Sequence, residues 1–377
     1  MRSATTNPGL TLPAARARAA AAEQPQEAAP RLTWDEVGPA AEQVLETWVG
    51  TSRGTAGTPG LALLWERIEE CLQGGKRLRP QLVFHAYSAF GGTDVEACAT
   101  LGAAVELLHG ALVVHDDVID RDFVRRGRTN LAGQYREDAA ARGLPDAEAR
   151  HLGASIAVIA GDLLLAGAFR LADRACRDEE LAPRIADVLH SAVTDAAAGE
   201  LDDVLMAHDA ERTVEDVLAM EQLKTAAYSF AAPLRLGAIL AGAPAERAED
   251  VARVGLLVGT AYQVIDDVLG TFGDAGQTGK SVTSDLREGK LTVLTAYARQ
   301  DPDVARHLAP GTATLGEEAD VDRVRAALEA SGAESYALTL AHSMVTDALE
   351  EARRGDLPPA LRSELTRICN HVLHRER

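Results

Sequence analysis

The sequence predicts an all-α protein built as a single bundle of helices. From residue 34 onward, apolar side chains recur with helical spacing in almost every segment, and no segment alternates with the two-residue period of a strand. Hydrophobic residues make up 46% of the 377 residues, whereas aromatic residues make up only 4%. Ala, Leu and Val therefore supply most of the apolar surface, which favours helix over sheet. Several predicted helices are long and rich in small residues, which favours close packing in a bundle.

The predicted helices follow one another with short breaks. Thr33 is a suitable cap for the first helix, and Pro80 suits the first turn of the third. The first four helices are expected at 33–49, 61–72, 81–90 and 95–120, with a Gly/Thr/Pro linker at 51–60. Residues 121–150 are polar and are expected to form a loop with a short helix inside. Further helices are expected at 151–176, 180–207, 214–241, 246–272, 291–299, 320–331, 334–354 and 358–375.

Composition excludes several classes of protein. The net charge of −19 and the lack of a Lys/Arg block argue against a nucleic-acid surface and against an anchor for anionic membranes. No apolar stretch is expected to span a bilayer. Residues 1–32 are expected to be a disordered tail, with a transit peptide as the alternative, and residues 33–377 one helical domain. No CxxC pair occurs, so neither disulfides nor zinc is expected and a cytoplasmic location is predicted; the cysteines are Cys71, Cys98, Cys176 and Cys369.

An acidic cluster ends the apolar helix at 95–120. Asp116 and Asp120 are four residues apart and share one helix face, and Asp117 is one step round the helix. Carboxylates suit Mg²⁺, and the arginines that follow, Arg125 and Arg126, are good donors to phosphate oxygens. Such a cluster is commonly just a solvated surface with weak ion pairs. The uninterrupted apolar run before it, and a second acidic pair further along, favour a diphosphate site.

The second acidic pair, Asp266 and Asp267, also follows an apolar helical run. Cationic residues come after it, among them Lys280 and Lys290. Two such helix ends, facing each other across a bundle, would allow metal ions to bridge both walls to one diphosphate. The glycine-rich stretch 273–281 is one residue longer than a P-loop and follows a helix instead of a strand, so a nucleotide-binding P-loop is rejected.

Basic and histidine residues suggest a second anion site. Lys76 and Arg79 lie at a predicted helix start, where backbone amides reinforce anion binding. His109 precedes Asp116 by about two turns and shares its face, which favours contact with substrate. The step from His115 to Asp116 would suit a metal-dependent phosphohydrolase, but the other dispersed His and Asp ligands of such a site are missing.

Together these motifs make the chain similar to the polyprenyl synthetase family, the trans-isoprenyl diphosphate synthases. The resemblance covers residue 40 to the end. It rests on motifs in family order: GGKRLRP (74–80), LLHGALVVHDDVID (107–120), RRG (125–127), AGDLLL (160–165), GELDD (199–203), LKT (223–225), YQVIDDVLG (262–270), GK (279–280), Asp285 and GK (289–290). It implies an isoprenoid synthase bundle with a central cavity, Mg²⁺ as cofactor and a homodimer.

The resemblance also implies the roles of individual residues. The two aspartate motifs would bind Mg²⁺ and, with Lys224, carry catalysis: Asp116, Asp117, Asp120, Asp266 and Asp267. Isopentenyl diphosphate would be held by Lys76, Arg79, His109 and Arg126. The allylic diphosphate would be held by Arg125, Lys224, Lys280 and Lys290, with Thr225 and Gln263 at the reacting end. Asp203 and Asp285 would contact metal through water. The second motif departs from the family pattern DDxxD because Gly270 replaces its last Asp, with Asp274 as a nearby substitute.

The implied reaction joins isopentenyl diphosphate to an allylic primer, which is dimethylallyl, geranyl or farnesyl diphosphate. In the family, an aromatic residue five positions before the first Asp often blocks the growing chain. Here that position is Ala111, with Leu112 beside it and Leu108 one turn below. The open floor predicts geranylgeranyl diphosphate, and longer polyprenyl products remain alternatives. Two other functions are possible alternatives. A terpene cyclase would not need the second anion site of Lys76, Arg79 and Arg126. A non-catalytic subunit is suggested only by Gly270.

Overall fold

The computed structural model describes residues 32–125, 127–206, 209, 212–273, 290–305 and 318–375. These residues are almost entirely helical, which confirms the predicted fold class. In chain order the helices are α1 (Trp34–Gly54), α2 (Pro59–Leu72), α3 (Leu78–Ala89), α4 (Val95–Ile119), α5 (Leu131–Ala141), α6 (Asp146–Ala175), α7 (Leu181–Met206), α8 (Val214–Glu221), the π-helix π1 (Gln222–Ala231), α9 (Ala232–Leu240), α10 (Ala245–Phe272), α11 (Val293–Ala298), α12 (Pro302–Ala305), α13 (Glu318–Ala330), α14 (Ala333–Arg354) and α15 (Pro359–Leu373).

Side-chain caps mark several helix starts. The backbone N–H of Thr33 donates to the Glu36 carboxylate at 3.0 Å at the start of α1. The Asp94 carboxylate accepts from the backbone N–H of Ala97 at 3.0 Å, which fixes the start of α4. Each cap satisfies backbone donors that have no partner within the helix. These starts lie where the sequence predicted them.

The segment after α4 differs from the predicted loop. Two short antiparallel strands, β1 (Val124–Arg125) and β2 (Arg128–Thr129), pair there. The strands have two residues each, too short to leave an alternating pattern in the sequence. Helix α5 follows, and α6 begins earlier than predicted. Helix α1 likewise continues to Gly54, into the predicted linker.

The core is organised around α4 and α10. Helix α4 packs mainly against α6, α1 and α3, and α10 packs against α14, π1 and α9. Leu101, Leu107 and Leu108 of α4 are almost completely buried. Since the apolar run of each helix is buried, its acidic C-terminal end is held in a fixed position at the edge of the core.

The expectation that no segment is apolar and long enough to span a bilayer is wrong for two helices. Both α4 and α6 have the length and hydropathy for it. In α4, 72% of the apolar window is buried inside the protein, as in the core helix of a bundle, whereas the corresponding share in α6 is 39%. A bundle core built from Ala, Leu and Val passes the same test as a spanning helix.

Candidate active site

The first acidic cluster lies at the C-terminal end of α4 and is bound by an arginine from β1. Arg125 donates from Nε to Asp117 Oδ1 at 2.6 Å and from Nη2 to Asp116 Oδ2 at 2.7 Å. The short β-ribbon turns the chain back so that this guanidinium faces the helix it has just left. The predicted grouping of Asp116, Asp117 and Arg125 is therefore present.

Lys224 of π1 also binds this cluster. Its Nζ lies 2.6 Å from Asp203 Oδ2, 2.9 Å from Glu200 Oε2 and 3.3 Å from Asp116 Oδ1. Glu200 was not predicted as a site residue, yet one oxygen each of Asp116, Asp120 and Glu200 lie within 4.8 Å of one another. These three oxygens form a group suited to one cation.

Lys290 reaches the third aspartate from a distant part of the chain. Its Nζ lies 2.7 Å from Asp120 Oδ2. The residue comes just before α11, so the fold joins segments 170 residues apart at this point. Lys290 therefore lies beside the first acidic motif, and its binding of a diphosphate stays a prediction.

The balance of charge in this cluster favours a divalent cation. Among the described residues, three cations face five ionisable carboxylates, which leaves an excess of two acidic groups. The cations are Arg125, Lys224 and Lys290, and the carboxylates are those of Asp116, Asp117, Asp120, Glu200 and Asp203. A site with excess negative charge and only oxygen donors suits Mg²⁺.

The pKa values of the two adjacent aspartates move in opposite directions. Burial would raise the pKa of Asp116, but Lys224 and Arg125 outweigh burial and hold that pKa below its usual value. Burial raises the pKa of Asp117 to about 6, although Arg125 acts against it. Asp116 is therefore the more firmly ionised of the two, and Asp117 loses its proton only near neutral pH.

The local backbone explains how Lys224 is placed. Lys224 and Thr225 lie in the first turn of π1, a kind of helix that often occurs at functional sites. A Cβ atom at Gly199 of α7 would lie only 2.2 Å from the backbone nitrogen of Lys224. Only glycine allows this close approach, which brings Glu200 and Asp203 to the lysine.

The second acidic pair lies at the end of α10 and faces π1. Asp266 is ion-paired with Arg375 at 3.0 Å. Asp267 is buried, with 6% of its surface exposed, and the amide of Gln263 lies 3.4 Å from its Oδ1. Glu221, the last residue of α8, is also buried, and its carboxyl group is hydrogen-bonded to that of Asp267. Burial raises the pKa of Glu221 well above its usual value, and Asp267 raises it further.

Contacts through π1 and Asp203 link the two acidic clusters. Asp203, which binds Lys224 of the first cluster, also acts electrostatically on Glu221 of the second. Helix π1 contacts both α7 and α10, so it lies between the two clusters. These contacts join the two acidic helix ends through shared neighbours, and their convergence on one ligand stays a prediction.

The predicted second anion site gathers beside π1. Arg79 donates to Ser229 Oγ at 2.8 Å, and its guanidinium carbon lies 5.3 Å from the centre of the Tyr228 ring. His109 Nδ1 lies 3.3 Å from the Tyr228 hydroxyl. Arg79 and His109 are thus joined through Tyr228.

Basic residues in α15 and just after it lie near Lys76 of the predicted second anion site. Burial lowers the pKa of His371, and the nearby charges of Lys76, Arg375 and Arg367 lower it further. Lys76 itself is exposed. Since these cations act on one histidine, the C-terminal helix lies close to the predicted anion-binding segment.

Four predicted residues lie outside the described residues, and His115 points away from the predicted metal site. Arg126, Lys280, Asp274 and Asp285 lie outside the described residues. His115 faces α6, where its Nε2 lies 3.5 Å from Asp162 Oδ1. That orientation offers no support for the phosphohydrolase alternative.

The residues predicted to set product length line the inner part of α4. Leu108 and Ala111 are almost fully buried, and Leu112 is half-buried. The neighbouring Gly110 shows what surrounds this level of the helix, since a Cβ there would lie 3.0 Å from Leu72 and 3.6 Å from Leu164. The wall below the aspartates is therefore completed by α2 and α6.

Three residues that contact the acidic clusters were missed by sequence reasoning: Glu200, Glu221 and Arg375. Glu200 and Glu221 each share a helix face with a predicted residue three positions away, Asp203 and Lys224 respectively. That spacing was an available signal. Arg375 lies 109 residues after Asp266 and gives no local signal.

An all-α bundle whose acidic helix ends face lysine and arginine side chains defines a protein suited to bind a cation together with a phosphate-bearing ligand. Comparisons with known proteins give the family. The chain belongs to the polyprenyl synthetase family, whose model matches residues 62–330.

Its relatives share one chemistry. The chain is 34% identical to geranylfarnesyl diphosphate synthase of Aeropyrum pernix over 304 residues, 80% of this chain and 89% of that protein. It is 32% identical to geranylgeranyl diphosphate synthase of Mycobacterium tuberculosis over 309 residues, 80% of each chain. The crystal structure of geranylgeranyl pyrophosphate synthase from Corynebacterium glutamicum, complexed with isoprenyl diphosphate and magnesium, has a TM-score of 0.84 at 27% identity and covers 92% of this chain and 100% of that one. The chain is therefore a chain-elongating prenyltransferase.

Proposed function

We propose that the protein condenses isopentenyl diphosphate with an allylic diphosphate to give a linear all-trans product, geranylgeranyl diphosphate or a longer homologue. The observation that carries this proposal is the cluster at the end of α4. There Lys224, Arg125 and Lys290 each pair with carboxylates. It provides both the negative charge that attracts Mg²⁺ and the positive charge that binds a diphosphate.

The donor set fits Mg²⁺. The group of Asp116, Asp120 and Glu200 supplies three carboxylate oxygens close enough to share one ion. Asp117 adjoins this group, and Asp266 and Asp267 would supply further carboxylates. When bound, Mg²⁺ would neutralise the charge that develops on the diphosphate as the allylic C–O bond breaks.

The cationic residues would hold the allylic diphosphate. Arg125, Lys224 and Lys290 are bound to carboxylates, and the same donors would be available to phosphate oxygens once metal ions neutralise those carboxylates. Burial lowers the pKa of Lys224, but Asp116, Asp203 and Glu200 outweigh burial, and the pKa lies above its usual value. Lys224 is therefore a cation at every pH of interest.

The second substrate would lie on the side of Arg79 and His109. Both residues are anchored to π1 through Tyr228 and Ser229, and Lys76 with the basic residues of α15 adds positive charge. Arg126 is proposed to join them. The double bond of isopentenyl diphosphate attacks the allylic carbon, a new C–C bond forms, and the proton that is lost passes to the departing diphosphate.

The aliphatic wall of α4 would shield the allylic cation from water and set product length. Ala111 has no side chain beyond Cβ, and Leu108 lies almost one turn deeper in the buried part of the helix. A small residue at this level leaves room for a chain longer than farnesyl. This supports geranylgeranyl diphosphate as the first choice among products.

We also propose a homodimer that works in the cytoplasm. Helix α6 leaves apolar side chains in solvent, with exposed fractions of 37% for Leu152, 42% for Val158 and 53% for Ile159. A second copy would cover this face. The substitution Ile159→Lys, measured by light scattering after gel filtration, should produce monomers, whereas an unchanged mass of twice the chain would contradict the use of this face.

The test of the proposed function is product analysis. The purified chain, with Mg²⁺ and isopentenyl diphosphate, would be given dimethylallyl, geranyl or farnesyl diphosphate in turn. We expect linear products of twenty carbons or more. Hydrocarbons formed from geranylgeranyl diphosphate alone would indicate a cyclase instead, and no turnover with any primer would indicate a non-catalytic subunit.

A further inference from the structure

The buried carboxyl group of Glu221 has no role in the chemistry described so far. Only 4% of the residue is exposed, although it is acidic and close to the active site. Its carboxyl group is hydrogen-bonded to that of Asp267, and among the described residues its buried Oε2 accepts no hydrogen bond. Glutamate is almost never buried in this way unless something compensates its charge or its lost hydration.

The surroundings of Glu221 are acidic. The charged groups that act on it most are Asp267, Asp203 and Asp266, all carboxylates. None of the ion pairs formed by the described residues includes Glu221. Glu221 is thus a buried acid among other acids, and the described residues give its Oε2 no hydrogen-bond donor. A cation at this place would find several oxygen ligands.

The sequence of α10 shows why such a group would be needed. The second acidic motif has Asp266 and Asp267, but Gly270 follows where a third acid would share their helix face. Glu221 supplies a carboxyl group to the same place from a different helix, α8. Glu221 lies three residues before Lys224. This spacing brings both side chains to one side of the helix.

We propose that Glu221 completes the cation site of the second acidic motif, where its carboxyl group, together with that of Asp267, holds a divalent metal ion. This proposal rests on the proposed function only in assuming that Asp266 and Asp267 face a metal. Glu221 replaces the side chain that is absent at position 270.

The test measures metal binding and not turnover. Metal-free protein is titrated with Mn²⁺, and free Mn²⁺ is followed by electron paramagnetic resonance. We expect Glu221→Gln to weaken binding at one class of sites by roughly tenfold or more, as Asp267→Asn does. The control Glu215→Gln makes the same change at an exposed position of α8 and should bind Mn²⁺ as the wild type does.

Two further measurements separate this role from a structural one. Glutamine has the shape of glutamate and can donate to Asp267, so the metal-free Glu221→Gln variant should unfold at or above the wild-type temperature. Adding Gly270→Asp to that variant should restore Mn²⁺ affinity, because the new carboxylate lies on the face of Asp266 and Asp267. Wild-type Mn²⁺ affinity in Glu221→Gln would overturn the proposal.

A wild-type crystal grown with Mn²⁺ gives an answer that does not depend on any variant. We expect an anomalous peak in contact with Glu221 and Asp267, and a peak pattern that leaves Glu221 without a metal neighbour would overturn the proposal. Prenyltransferase activity is measured separately, so an active enzyme without metal at Glu221 would refute this inference alone. A chain that binds Mn²⁺ there but forms no prenyl product would refute the proposed function alone.

Discussion

Removing the charge of Lys224 should destabilise the metal-free protein and stop turnover. Lys224 contacts carboxylates of Asp203, Glu200 and Asp116 at 2.6, 2.9 and 3.3 Å, and only 20% of its side chain is exposed. Lys224→Met keeps most of the apolar stem and leaves three carboxylates facing one another. Loss of one partner from a largely buried ion pair costs about 3 kcal/mol, which corresponds to a fall in Tm of roughly 4 °C for a chain of this size.

The rate should fall as well. Lys224 is proposed to bind the allylic diphosphate as negative charge grows on it, and loss of one such donor lowers kcat by roughly 10²–10³-fold. Single-turnover reactions with a saturating primer measure this step directly. Lys224→Arg, which keeps the charge, is the matched control and should retain most of the stability.

Magnesium gives this prediction its most specific signature. Added Mg²⁺ should raise the Tm of Lys224→Met more than that of the wild type, because the ion replaces the missing positive charge among the carboxylates. The raised pKa of Lys224 means that its contribution is fully present below its unfolded pKa and is lost only in strongly alkaline solution. The Tm difference should therefore be the same at pH 7 and pH 9, and equal Tm values for wild type and Lys224→Met would refute the reasoning.

Three further outcomes are expected. Ala111→Phe places a bulky side chain at a fully buried position of α4 and should shorten the product toward farnesyl diphosphate. Chromatography of the dephosphorylated products measures the chain length. An unchanged length would show that another residue stops the growing chain. Burial raises the pKa of Asp117 to about 6. Mn²⁺ affinity should therefore fall as the pH drops from 7 to 5 and Asp117 takes up its proton. In Asp117→Asn this part of the pH dependence should vanish, and a pH profile identical to that of the wild type would contradict the assignment to Asp117. Arg375→Ala removes the ion pair of Asp266. Mn²⁺ binding should then tighten by roughly fivefold or less, which corresponds to the free energy of a partly exposed ion pair. Weaker Mn²⁺ binding would mean that Arg375 supports the site.

The sequence was sufficient for the fold class and for the main acidic residues. Both depend on local pattern: the helical period of the apolar residues, and the spacing of Asp116, Asp117 and Asp120 at a helix end. The contacts of Arg125 with that cluster were foreseeable too, since only eight residues separate it from Asp117.

Other parts of the site depend on tertiary packing that no local pattern records. The π-helical turn at Lys224 accompanies a close approach of α7 that Gly199 alone permits. The ion pair of Arg375 with Asp266 joins the end of the chain to α10. Glu221 looks like an ordinary polar residue of an amphipathic helix, and only the packing of α8 against α10 shows that it is buried.

The expectation that no segment is long and apolar enough to span a bilayer was wrong for α4 and α6, which pass that test by length and composition. Hydropathy averages over all faces of a helix, so it does not distinguish a helix surrounded by protein from one surrounded by lipid. In α4 the apolar residues pack against α6, α1 and α3, contacts that the sequence alone does not reveal.

The most direct test of the central claim is a crystal structure with Mn²⁺ and an unreactive thio analogue of farnesyl diphosphate. The account predicts that the diphosphate lies between Asp116 and Asp120 on one side and Asp266 and Asp267 on the other. Anomalous Mn²⁺ peaks should join it to both, and the farnesyl chain should run along α4 past Ala111. A diphosphate bound to only one of the two acidic helix ends, with no ion bridging to the other, would contradict it.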